Sequence, residues 1–193
     1  MNPVGFDTTF LSILLNPRSR IPTDPATGEP IAQAKRRAEP LVETLGKERR
    51  KIVIPTPVTA ELLTAIGPEA QAYLEIVGRS RLFEDAAFDR RCAIEPALLN
   101  RGIFSTTDPR SGLEIYQKIK IDSQIVSIFK VAGVETVYSD DEGLRRRARL
   151  CGMAAVGTAE LPLPPEDKQP QLDFGRADEI PDIDVDPADD SRE

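Results

Sequence analysis

Histidine is absent from the 193 residues, and so is tryptophan. Without histidine there is no Ser-His-Asp or Cys-His triad and no zinc site built on imidazole. Acid–base work must fall to carboxylates, lysine, tyrosine or metal-activated water. Cysteine is scarce too. Cys92 and Cys151 stand far apart without metal-ligand spacing, and read as free core thiols of a cytosolic protein rather than a disulfide. Aromatics make up only 5% of the chain, which leaves little surface for stacking bases. No apolar run approaches the ~18 residues of a membrane span, and no basic stretch precedes an apolar core at the N-terminus. Neither GxGxxG nor a phosphate loop is present, which disfavours a nucleotide-cofactor fold. No internal repeat is visible.

The net charge of −7 is unevenly spread. Residues 166–193 carry eleven acids and three bases, whereas residues 1–165 hold 21 acids and 22 bases. The first 165 residues read as one folded domain. The last 28 are acidic, contain proline and have few aliphatics, so they are expected to be disordered. The plain reading of this tail is a solubilising end. The sharper one is a mimic of a nucleic-acid strand. Basic residues cluster within the body at Lys118 with Lys120 and at Arg145, Arg146, Arg147 and Arg149. Each cluster reads first as a solvated helix face, and second as a track for a phosphate backbone.

Short apolar runs alternate with helix-like runs. Strands are expected at 4–6, 51–54, 82–88, 134–138 and 153–156, with a further strand-like run, Ile115–Ile121, leading into Asp122. Helices are expected at Phe10–Leu15, 32–49, from Thr56 as cap to Ile66, Glu69–Val77, Asp89 to Asn100, Asp122 to Ala132 and Glu142–Cys151. Residues 17–31, with four prolines, and 102–112 read as loops. The alternation predicts a three-layer α/β/α fold around a mostly parallel sheet of about five strands.

Four acids punctuate this pattern: Asp7, Glu61, Asp122 and Asp141. Asp7, Asp122 and Asp141 each stand where an N-cap is expected, and Glu61 lies one turn inside its helix. Singly, each is a cap more often than a ligand. Together they would converge, because the strand-to-helix junctions of a parallel sheet lie on one edge. Converging carboxylates need a cation, and hard oxygen ligands select Mg²⁺ or Mn²⁺. Hydroxyls at Thr8, Thr9 and Ser139 stand ready to support the set.

These motifs, in order, resemble the PIN domain, the nuclease fold of virulence-associated type C toxins and several RNA-processing enzymes. They are apolar-apolar-Asp-Thr at the start, I-P-T-P-V-x-x-E-L at 54–62, the Asp opening a helix at 122, and Ser-x-Asp at 139–141, followed by an aliphatic strand and Leu-Pro. The likeness covers residues 4–163. It implies a divalent-metal ribonuclease of single-stranded RNA with Asp7, Glu61, Asp122 and Asp141 as the acidic set, supported by Thr8 and Ser139. It would make the chain either a toxin with an antitoxin partner or a housekeeping enzyme; a homodimer is also open. Lys118, Lys120, Arg145, Arg146 and Arg147 are the candidates to hold RNA. Two features depart from the family. Segment 17–50 is longer than in compact toxins, and Gly143 replaces a fifth acid, for which Asp140 or Glu142 could substitute. Two other readings compete: a haloacid-dehalogenase-like phosphatase, in which Asp7 is the nucleophile and Thr9 stands two residues on, and a non-catalytic PIN-like binding module.

Overall fold

The computed structural model describes residues 2–16, 18–95 and 113–163. The expected helix end near Asn100, the 102–112 loop and the acidic tail lie outside them. Five strands form one parallel sheet: β1 (Val4–Phe6), β2 (Ile52–Pro55), β3 (Phe83–Ala86), β4 (Thr136–Tyr138) and β5 (Ala154–Val156), in the order β3-β2-β1-β4-β5. The helices are α1 (Thr8–Leu15), α2 (Ala34–Lys47), α3 (Thr56–Ile66), α4 (Ala70–Arg79), α5 (Leu113–Val131) and α6 (Glu142–Leu150), with a further helical stretch at 90–95. This is the expected three-layer α/β/α architecture. No described helix is long and apolar enough to cross a membrane. Cys92 and Cys151 are free thiols, as expected.

Strands β1 and β2 are buried along their whole length, as central strands covered on both faces must be. Strand β3 lies at an edge and exposes Glu84 and Asp85, charges that discourage pairing with another chain. Residues of β1 alternate between the two helical layers. Phe6 packs on Phe10 of α1, with ring centroids 4.7 Å apart. Gly5 faces the other way, onto the ring of Phe129 in α5; a Cβ there would sit 2.5 Å from that ring. The missing side chain lets α5 lie close against the sheet.

Two expectations change. The Ile115–Ile121 run is helix, not strand, and Asp122 sits in the middle of α5 rather than capping it. The period-two look of Lys-Ile-Lys-Ile gives way to the four-residue spacing of Ile121, Ile125 and Phe129, two of which are buried; tertiary packing selects the helical period. Thr56 is the first helical residue, and Pro55 is the cap. Pairing of β2 with β3 extends through Pro55 opposite Ala86, which carries the extended backbone one residue further.

The Gly5–Phe129 contact yields a test. Gly5→Ala should lower stability by about 1–3 kcal/mol through overpacking. Combining it with Phe129→Leu should restore part of the loss, measured by urea denaturation of the single and double variants.

Candidate active site

Strand β1 leads toward β2 on one side, and β4 leads toward β5 on the other. The side to which the chain adds strands therefore reverses between the parallel neighbours β1 and β4, and a crevice opens beyond their C-terminal ends. Asp7 follows β1 immediately, and Ser139 follows β4. The two meet: Ser139 Oγ donates to Asp7 Oδ2. Asp7 is also the N-cap of α1, accepting from the Phe10 amide at 2.9 Å. Thr9 Oγ1 lies 2.8 and 2.9 Å from its two oxygens. Three donors thus share the two oxygens of this carboxylate. Asp7 is 4% exposed. Burial pushes its pKa up to about 7, against the pull of hydrogen bonds from Ser139, Phe10 and Thr9 and with a small push from the charge of Asp140.

Asp141 caps α6, accepting from the Leu144 amide at 3.0 Å. Its own amide donates to Ser139 Oγ, so one serine hydroxyl joins both strand-end aspartates. Lys118 Nζ stands 2.7 Å from Asp141 Oδ2. Burial favours the neutral acid, but Lys118 and the α6 amides outweigh it and hold Asp141 below its usual range. Asp122 approaches from above the sheet edge, two turns before Phe129 on α5. Arg147 Nη1 lies 3.1 Å from its Oδ2. Burial and the neighbouring Asp141 charge nonetheless raise the Asp122 pKa, despite Arg147 and Lys118. Glu61 stands exposed on α3 and accepts from Thr8 Oγ1 at 2.6 Å.

All four acids line one cleft of about 780 Å³, with Thr8, Thr9 and Lys118. Pro57, Ile121, Ile125 and Leu144 form its apolar walls. The predicted set is thus brought to one place, although Asp122 arrives by a different route.

Other candidates divide. Lys118 belongs to the cleft, and exposed Arg146 lines its shallow continuation beside Lys118, Asp122 and Asp141. Lys120 is exposed and lines none of these surfaces. Arg145 cannot hold RNA as expected. It is 6% exposed and bridges Glu142 at 2.6 Å and Glu160 at 2.8 Å. Arg147 is likewise mostly buried and committed to Asp122 and the Gly143 carbonyl. They flank the buried stripe of Leu144 and Ala148 on opposite sides of α6, one reaching Glu160 and the other Asp122. Asp140 does not support the acidic set by its carboxylate, which turns away to the Thr158 amide and hydroxyl, both at 2.7 Å. Its amide does contribute, donating to Thr9 Oγ1 at 2.9 Å. Glu142, tied to Arg145 and Arg149, is no fifth ligand either. Thr158, and the pairing of Arg147 with Asp122 rather than with RNA, escaped the sequence reading, since neither lies in a recognisable local motif.

The donor set is all oxygen, with two carboxylates raised in pKa by burial, which suits a hard divalent cation. Among the described residues, no three of the acids close on a single ion as placed; side-chain cations already engage Asp122 and Asp141. Closure would need Lys118 to leave Asp141. No known family's sequence model matches the chain, and no curated protein matches it.

The buried Asp7 carries a sign. Its folded pKa of about 7 lies above the unfolded value of 3.8, so the native state binds more protons across that interval. Metal-free protein should therefore lose stability as pH rises from about 4 through 7, by a few kcal/mol if the shift is fully expressed. Asp7→Asn should flatten this slope and be at least as stable as wild type at pH 8. Thermal melts in EDTA across that pH range check both.

Proposed function

We propose that the chain is a divalent-metal-dependent endoribonuclease of the PIN-domain kind, acting on single-stranded RNA. One observation carries this reading: four carboxylates from four separate segments line one cleft at the reversal point of a parallel sheet. A structural cap needs no such company, and mutual repulsion opposes it. The residues present fit Mg²⁺ or Mn²⁺. Asp122, Asp141 and Glu61 would hold the ion, with Asp7 behind them adding negative charge.

When bound, such an ion would lower the pKa of a water and neutralise charge on the phosphoryl and leaving oxygens. The chain's own residues do the rest. Ser139 fixes Asp7 relative to Asp141 through its single hydroxyl. Thr8 orients Glu61. The apolar walls restrict bulk water near the reacting phosphate, and Lys118 is free to turn from Asp141 to a phosphate oxygen. Arg146 extends the positive charge along the strand's path. No histidine is required.

The phosphatase reading is weaker. Its nucleophile would be Asp7, yet that carboxylate is buried and engaged in hydrogen bonds, one of them to Thr9. It also leaves Glu61 and Asp122 without a role. For the non-catalytic module, nothing specific speaks. The antitoxin and toxin role, like a homodimer, extends the PIN-like reading to partners and is tested separately by co-purification.

The expected result is cleavage of single-stranded RNA in Mg²⁺ or Mn²⁺, abolished by EDTA and restored by added metal. Asp7→Asn, Asp122→Asn and Asp141→Asn should each lower kcat by roughly 100-fold or more, the scale of losing one preorganised electrostatic partner. Full activity in Asp122→Asn with unchanged metal binding would overturn the assignment.

A further inference from the structure

Every acid in the cleft has at least one oxygen already engaged, and this bears on how many ions the site takes. Asp7 accepts from Ser139, Thr9 and the Phe10 amide across both oxygens. Asp122 has Arg147 on Oδ2. Asp141 has the Leu144 amide on Oδ1 and Lys118 on Oδ2. Glu61 has Thr8 on Oε2.

The two side-chain cations are not equivalent. Lys118 is 63% exposed, and its pair with Asp141 has the small worth of a surface bridge. It can leave. Arg147 and Asp122 are each only 11% exposed. Separating such a pair strands a buried charge, which is strongly unfavourable. Arg147 is also held by the Gly143 carbonyl at 3.0 Å. Gly143 makes the room: a Cβ there would stand 3.2 Å from Arg147 Nη1, 3.0 Å from Asp141 Oδ1 and 3.7 Å from Asp122 Oδ2. The guanidinium therefore occupies the corner between Asp122 and Asp141.

Two dications held about 3.5–4 Å apart repel one another. A second ion would therefore need further negative charge not already balanced by a side-chain cation. Once Lys118 departs, Asp122, Asp141 and Glu61 each offer one oxygen free of hydrogen bonds, and the charge of Asp122 is already balanced by Arg147. We propose that this cleft takes one divalent ion, because Arg147 occupies Asp122 where a second ion would bind. Arg147 is thus a positioning residue that sets the ion count, and Lys118 is the cation that yields. This rests on the metal-dependent reading above.

The test counts Mn²⁺ bound to the full chain, by isothermal titration and by the free-ion electron spin resonance signal. Wild type should bind one equivalent up to millimolar metal; two equivalents would overturn the proposal and leave the nuclease reading intact. No Mn²⁺ binding at all would sink both. Arg147→Gln, checked for a cooperative melt, should admit a second equivalent. A folded Arg147→Gln that still binds one ion would remove Arg147 from this role, and if the variant does not fold the wild-type count alone decides. Lys118→Met should leave the count at one and tighten binding up to about fivefold, the scale of a lost surface pair. Weaker binding in Lys118→Met would overturn its assignment as the displaced cation.

Discussion

Like charges crowded at one edge of a sheet are the constraint to which the surrounding structure answers. Asp7, Asp122 and Asp141 are drawn together by topology. Each is then accommodated differently. Asp7 is buried and biased toward its neutral form. Asp141 stays ionised against Lys118 and an α6 amide. Asp122 meets a guanidinium inside the fold. Three solutions to one electrostatic problem sit within a single cleft, and the hydroxyls of Ser139 and Thr9 join Asp7 to the amides of Asp141 and Asp140.

A second layer of charge stabilises the floor of that cleft from behind. Arg145 ties Glu142 at the start of α6 to Glu160 beyond β5. Glu160 in turn accepts from the Gly157 amide, and Asp140 accepts from Thr158. The segment 139–141 is therefore pinned on both sides, toward the acids by Ser139 and away from them by Asp140. This division of labour explains why two adjacent aspartates have unlike duties. Asp141 faces the cleft, while Asp140 anchors the turn that presents it.

Much of the arrangement is legible in the residues. The caps at Asp7 and Asp141 follow from short polar side chains before apolar helical runs, and both are observed with their amide partners. The sheet follows from strand–helix alternation. Asp122 was placed in the right cleft for a wrong local reason, because a four-residue alternation of lysine and isoleucine imitates a strand. What resolves it is Phe129 packing on Gly5, a contact between segments 124 residues apart in number. No local window contains that information. The arginines of α6 misled in a similar way. Their sequence looks like a basic track, yet helical geometry turns Arg145 and Arg147 inward and leaves Arg146 outside. Charge composition alone cannot distinguish a guanidinium that greets solvent from one that balances a buried acid.

The acids also differ in what fixes their address. Asp7 and Asp141 are moored by backbone at strand ends, so they move only if the sheet moves. Asp122 hangs from the middle of a helix whose depth is set by an aromatic ring against a bare glycine. A slip of one residue along α5 would swing its carboxylate by about 100° around the helix axis and out of the cleft, leaving Arg147 facing nothing. Length changes within α5 between Asp122 and Phe129 are thus coupled to the site's register, whereas the long segment between α1 and β2 can vary without rotating any of the four acids. The cleft has an unequal tolerance built into it: generous toward insertions between α1 and β2 and unforgiving within α5.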